Sequence, residues 1–361
     1  MNYLKVLKKN FKKYIKGANM IDIDTKKTIL KDINMMINKI KKCNSKTMYN
    51  VYLYELEDLY YLCEQLNITD YPNIDNYSNK SIVINEDKLY DKYRNQLLQD
   101  KAYHLEFSKN SKNIDYYKYQ DLNNYSLQIE ISATDNIELM CEFLNDYDPM
   151  IYNMFKQLLV ENRIIVAGEI NVSNEMGTPA YIVFSYGSYL PYVVIDSEKL
   201  LTDSVNLVHE LGHVYDNNLK RSNKIFNQKK INCLDEVVSY YFQFVYVDYL
   251  NNRNLFKQDV QNIKYAYNYP LVDFINKIGP EYEKLKEKQV DESYIDEYLN
   301  YTYGIAIAYH FLERYRDNPE KTKNEINSFI ALNGQYNMME MLEKFKLKDE
   351  LIDSKILRKY I

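Results

Sequence analysis

The first 17 residues, MNYLKVLKKNFKKYIKG, set Leu4, Leu7, Phe11, Tyr14 and Ile15 against Lys5, Lys8, Lys9, Lys12, Lys13 and Lys16. That spacing predicts an amphipathic helix with a solvated lysine face, because residues three and four apart share one side of a helix. Helical patterns follow over 25–42 and over 51–66, the latter reading VYLYELEDLYYLCEQL. Residues 67–87 are polar and turn-rich and read as a connection between subdomains, and a second polar stretch covers 108–126. From Asn136 a helix is expected through ELMCEFL, broken near Asp148-Pro149 and resumed as MIYNMFKQLLVENR. The character then changes. RIIVAGEI, AYIVFSY and PYVVIDS are short, β-branched and aromatic, and Gly168, Gly177, Pro179, Gly187 and Pro191 punctuate them. These are the strand candidates. Beyond Asp196 the helical pattern returns to the end of the chain, and no internal repeat interrupts it.

Composition supports a mainly α fold. The chain has 361 residues with 8 Gly and 7 Pro, about 4% against roughly 12% in average usage, so tight turns are few. A net charge of −5, from 46 basic and 51 acidic residues, gives no global attraction to nucleic acid. The 39 Tyr and the absence of Trp follow the Asn-, Lys- and Ile-rich bias of the whole chain, so single tyrosines need positional support. Cys43, Cys63, Cys141 and Cys233 form no C-x-x-C pair, which predicts neither a zinc ribbon nor a disulfide framework and fits a reducing compartment. No apolar run has the length of a membrane span, and the N-terminus lacks the apolar centre of a signal peptide. Cytoplasmic location is the expectation.

The chemistry is concentrated in VNLVHELGHVYD, residues 205–216, where His209-Glu210-Leu211-Gly212-His213 is an H-E-x-x-H pattern. Residues four apart on a helix lie one turn apart on one face, so both imidazoles can reach a single metal ion, and Glu210 can take a proton from water on that metal. With 4 His in the chain, chance supplies this pattern about 0.003 times. Thr202 or Asp203 is available as the N-cap, and Val205, Leu207, Val208, Leu211 and Val214 provide the apolar positions. A tetrahedral catalytic zinc takes three protein ligands and keeps one position open. The next helical pattern, INCLDEVVSYYFQFVYVDYL over 231–250, carries Glu236, 23 residues after His213. Two antiparallel helices joined by a loop over 217–231 would bring Glu236 to the histidines. Asp235 is the alternative, about 100° away around the helix. His104 and His310 stand alone, and packing is the expectation for His310.

The stretch PYVVIDSEKLLTDSVNLVHELGHVYD resembles the zinc-helix region of the M3 metallopeptidases, the oligoendopeptidase F and thimet-type oligopeptidases. Glu236-Val237-Val238-Ser239 is similar to that family's E-x-x-S segment, which implies Glu236 as the third zinc ligand. DPMIYNMFKQLLVENRI with the strand after it, then Ala180-Tyr181, resembles the family's helix, strand and G-A-Y segment, with Pro179 where Gly is usual. YIDEYLNYTYGIAIAYHFLERY, residues 294–315, resembles the tyrosine-rich helix, and Tyr294 and Tyr301 reproduce its Y-x6-Y spacing. The resemblance is strongest over 147–350. It implies a helical zincin of the gluzincin type with a small β-sheet beside the H-E-x-x-H helix, an N-terminal helical region 1–107 and a catalytic region 108–361. It also implies Zn2+ as cofactor and short unfolded peptides as substrates. The chain departs from the family at Asp216 and Gln289, where His is common, and in Val290-Asp291-Glu292-Ser293, which lacks glycine.

Physically, a phenol O–H on Tyr301 or Tyr294 can donate to the oxyanion formed when water attacks a peptide carbonyl. Residues 294, 298 and 301 share one helical face. Two other readings stay open. One is a gluzincin protease that cleaves a specific protein partner, as toxins related to anthrax lethal factor do. The other is a relative that binds peptide without hydrolysing it, against which the intact His209, Glu210, His213 and Glu236 speak.

Overall fold

A computed structural model describes residues 23–44, 46–72, 101–111, 131, 133–167, 180–183, 190–196, 200–222, 234–253, 256–278, 292–333 and 335–360. The lysine-rich helix expected over 1–17 and the polar stretches 73–87 and 112–126 lie outside these residues. The described part is mainly helical with one small sheet, and it divides into two compact units that interleave in sequence: 1–84 with 130–221, and 85–129 with 222–361. Among the described residues no helix is long and apolar enough to cross a membrane.

The first unit opens with α1 (Ile23–Lys42) and α2 (Lys46–Gln65). Each buries the stripe its periodicity predicts: Ile29, Ile33, Met36, Ile37 and Ile40 on α1, and Leu56, Leu59, Leu62 and Cys63 on α2. The two stripes pack with Ile165, Val183, Tyr192 and Val194 in one cluster, so the pair of helices covers one face of the sheet. From the second unit comes α3 (Lys101–Ser111), and the first resumes with α4 (Ala133–Tyr147) and α5 (Pro149–Val160). The break between α4 and α5 falls where expected. Asp148 caps α5 by accepting the Met150 N–H at 2.7 Å, and Pro149 at the first position lacks the donor a helix start leaves unused.

Strands β1 (Ile164–Ala167), β2 (Ala180–Val183) and β3 (Tyr192–Asp196) occupy the three predicted segments. Their spatial order is β1-β3-β2, with β3 parallel to β1 and antiparallel to β2. The central strand β3 is buried on both faces from Tyr192 to Ile195, which its unbroken apolar run reflects. Below the sheet end, Arg163 reaches Asp32 of α1 at 2.8 Å and the Leu190 carbonyl at 2.7 Å, and the Tyr192 hydroxyl donates to the same Asp32 oxygen at 2.7 Å. The Arg163 and Asp32 side chains are 6% and 4% exposed, a fully partnered buried ion pair. It ties α1 to the sheet.

Helix α6 (Leu201–Ser222) follows β3. It begins at Leu201, so Thr202 and Asp203 lie inside its first turn and neither is the N-cap. Asp203 still sits favourably there, an acid at the positive end of the helix dipole. The helix also runs on to Ser222, through the first part of the expected 217–231 loop, with Asn217 buried beyond Tyr215. Asn136 of α4 donates to the Leu200 carbonyl at 2.9 Å and anchors the start of α6.

The second unit is built around α7 (Val237–Asn252) and α9 (Glu292–Asp317), which pack along each other, with α8 (Lys257–Asp273) against both and a π-helical turn over Phe274–Ile278. Buried residues surround α7 on all sides, from Val237 through Asp248 and again at Leu250. A helix apolar all round is a central one. The chain ends with α10 (Pro319–Leu332), α11 (Met338–Lys344), α12 (Lys348–Asp353) and α13 (Lys355–Tyr360). The Tyr360 ring stacks on Tyr309 of α9 with centroids 4.3 Å apart, and Tyr309 stacks on Phe244 of α7 at 4.2 Å.

Candidate active site

The face that α6 turns to its own core carries Leu201, Val205, Val208, Leu211 and Tyr215, all buried. Burying that stripe leaves Thr202, Asn206, His209, His213, Asp216 and Lys220 partly exposed at helical spacing on the opposite face. His209 and His213 stand one turn apart there, their rings edge to face with centroids 5.1 Å apart. Glu210 is buried, 8% exposed, immediately beside this stripe. One turn beyond His213, Asp216 accepts from Lys220 at 2.7 Å, an ion pair within the helix at the position where the M3 resemblance has His. His209 and His213 have the spacing to reach a single metal ion.

In the second unit Glu236 has a different local setting from the one expected. Residues 234–236 form a turn and α7 starts only at Val237, so Glu236 is the N-cap rather than part of the helix body expected over 231–250. Its carbonyl accepts the first helical bond, from the Tyr240 N–H at 3.0 Å. The side-chain oxygen of Asn300, on α9, lies 3.0 Å from the Asp235 backbone nitrogen and 3.4 Å from that of Glu236 and accepts from both. This contact crosses 64 residues of chain and caps backbone N–H groups at the start of α7. The Ser239 hydroxyl faces the Glu236 carbonyl at 2.9 Å and its Oε2 at 3.2 Å. Glu236 is 8% exposed, and its carboxylate sits at the end of a helix dipole that favours an anion.

Helix α9 approaches Glu236 through Gly304. A Cβ built on Gly304 would lie 2.6 Å from the Glu236 Cβ and 3.2 Å from its carbonyl carbon, closer than side chains tolerate. Glycine is required here by space. One turn earlier, Tyr301 is partly exposed and meets Tyr240 edge to face at 6.4 Å. The Tyr240 phenol is pushed far above its ordinary range, first by burial and then by the neighbouring Glu236 carboxylate. Tyr294 lies on the backbone of α9, two turns before Tyr301, and Gln289 falls outside the described residues.

The structure thus brings His209, Glu210 and His213 together on α6, and gathers Glu236, Asn300, Tyr301 and Gly304 where α7 meets α9. Asn300 and Gly304 escaped the sequence reading. The only local signal for either was a glycine inside a helical pattern, three residues after Tyr301. The remaining histidines are packed. His104 is 1% exposed, and its Nδ1 shares a 2.6 Å hydrogen bond with the Tyr303 hydroxyl. Burial lowers its pKa to about 4. His310 is equally buried and pairs with Glu350 at 3.2 Å.

The chain matches no protein-family model and no curated protein. It is similar to solved structures, among them one described as an oligoendopeptidase F from Bacillus anthracis str. Ames, with 13% identity and a TM-score of 0.45 over 88% of this chain and 64% of that one. Another, described as a peptidase from Chlamydophila abortus, shows 15% identity and a TM-score of 0.42 over 87% and 62%. A third is PZ peptidase A, at 13% identity and 0.44 over 87% and 65%. The chain spans less than two thirds of the length of each.

Proposed function

We propose that the protein is a zinc-dependent endopeptidase in which His209, His213 and Glu236 hold the metal. The observation that carries this reading is the α6 stripe: two partly exposed imidazoles one turn apart, with a buried carboxylate beside the first. Two imidazoles and a carboxylate match the three-ligand sets of catalytic zinc, which leave a fourth position open. The E-x-x-S likeness at Glu236 supplies the third ligand. When bound, the ion supplies Lewis acidity and lowers the pKa of its water to about 7.

The chain's own residues do the rest. Glu210 takes a proton from the attacking water and hands it to the leaving amine. The Tyr301 hydroxyl donates to the oxygen of the scissile carbonyl as charge develops there, with Tyr294 in support. Strand β2, at one edge of the sheet order, is the candidate to pair with an extended substrate backbone. The substrates of this reading are short unfolded peptides. Metal content of the purified protein, measured together with cleavage of a mixed peptide library, tests it. Bound zinc with broad cleavage supports it, and bound zinc with an inert library points instead to a protease with one protein partner.

A further inference from the structure

Glu236 is the N-cap residue of α7, and three groups of the second unit meet its backbone, its Cβ and its carboxylate. Asn300 captures the Asp235 and Glu236 backbone N–H groups, which a helix start leaves without intrahelical partners. The single hydroxyl proton of Ser239, itself fully buried, faces both the carbonyl and Oε2 of Glu236. Gly304 lets α9 close to a separation that any side chain would prevent. None of the three is a metal ligand or a proton carrier in the reading above.

We propose that Gly304, Asn300 and Ser239 are positioning residues that set the Glu236 carboxylate for metal binding, an inference that rests on the reading of Glu236 as third ligand. The physical demand is precision. A metal ligand displaced by a fraction of an ångström strains the coordination, and groups that orient ligands are worth about 10- to 100-fold in metal affinity. In Gly304→Ala the new Cβ would meet a Cβ and a backbone carbon rather than the tip of a flexible side chain. The first turn of α7 or the body of α9 must then move, and Glu236 moves with it. Ser239→Ala acts without volume. It removes a hydroxyl that faces the Glu236 carbonyl at 2.9 Å and its Oε2 at 3.2 Å.

The test is zinc affinity of the full chain, titrated with zinc alone against a chromophoric chelator, with apo-protein melting as the check on folding. Ser239→Ala and Gly304→Ala should each bind zinc about 10- to 100-fold more weakly than the parent. In a Glu236→Ala background, Ser239→Ala should cause no further loss, since its effect passes through that carboxylate. If Gly304→Ala melts abnormally, Ser239→Ala decides alone. If Glu236→Ala loses zinc while both variants bind like the parent, the three residues merely pack and the proposal is overturned with the ligand assignment intact. Parent-like zinc binding by Glu236→Ala overturns the assignment and the inference together.

Discussion

His209 and His213 meet edge to face on consecutive turns of one helix, their ring centroids 5.1 Å apart. If this pair and Glu236 are the zinc ligands, His209→Ala, His213→Ala and Glu236→Ala should each lose the metal. Glu210→Gln should keep it and lose hydrolysis, because only proton transfer is removed. Metal analysis beside peptide turnover separates the two behaviours. Retained zinc in Glu236→Ala would move the third-ligand role to Asp235, the next to test.

Tyr301→Phe keeps the ring that meets Tyr240 and deletes only the hydroxyl. Losing one oxyanion donor costs about 100- to 1,000-fold in turnover, and the loss should appear in kcat with little change in KM. Turnover within about threefold of the parent would make Tyr301 structural. Tyr294→Phe should show a similar or smaller effect. Tyr309→Phe is the comparison on the same helix. Its hydroxyl donates to Asn268 at 2.7 Å inside the core, so that variant should lose about 1 kcal/mol of stability while turnover stays at the parent level.

His104 gives the second unit a dependence on pH. Its ordinary pKa of 6.5 falls to about 4 on burial, so the folded state holds it neutral. Between those values the unfolded chain binds a proton that the folded chain does not, so stability is complete above pH 6.5 and falls with pH down to about 4. The contribution is on the order of 3 kcal/mol. Urea unfolding at pH 7 and pH 4.5 should show a smaller difference for His104→Gln than for the parent. Equal differences would mean that carboxylates alone set the acid sensitivity.

The Arg163 to Asp32 pair should behave as a buried ion pair. Asp32→Ala removes the carboxylate that Arg163 and the Tyr192 hydroxyl share, while Glu161 still holds the guanidinium at 2.9 Å, so the expected loss is about 1–3 kcal/mol. Replacing both residues with apolar side chains of similar size should recover most of it. Denaturant midpoints of the single and double variants check this, and additive losses would show that the two residues do not act as a pair.

How much of this was legible follows from how far along the chain each feature reaches. The α1 and α2 stripes, the Asp148-Pro149 break, the three strands and the H-E-x-x-H face all rest on periods of two or on spacings of three and four, which local backbone geometry imposes. The start of α7 rests on something else. The apolar pattern from Ile231 onward looks helical, but residues 234–236 form a turn, and Asn300 from a distant helix accepts from the Asp235 and Glu236 backbone N–H groups.

From its sequence alone this chain has a mainly helical fold, a small β segment, and two histidines and a glutamate placed on one helix by spacing. Tertiary structure decided the interleaving of the two units, the pairing of Asp32 with Arg163 across 131 residues and the seat of Glu236 against Gly304. The reason is physical. A hydrogen bond between distant segments, or a gap where a Cβ is missing, depends on which surfaces meet after folding, and no local period records that meeting.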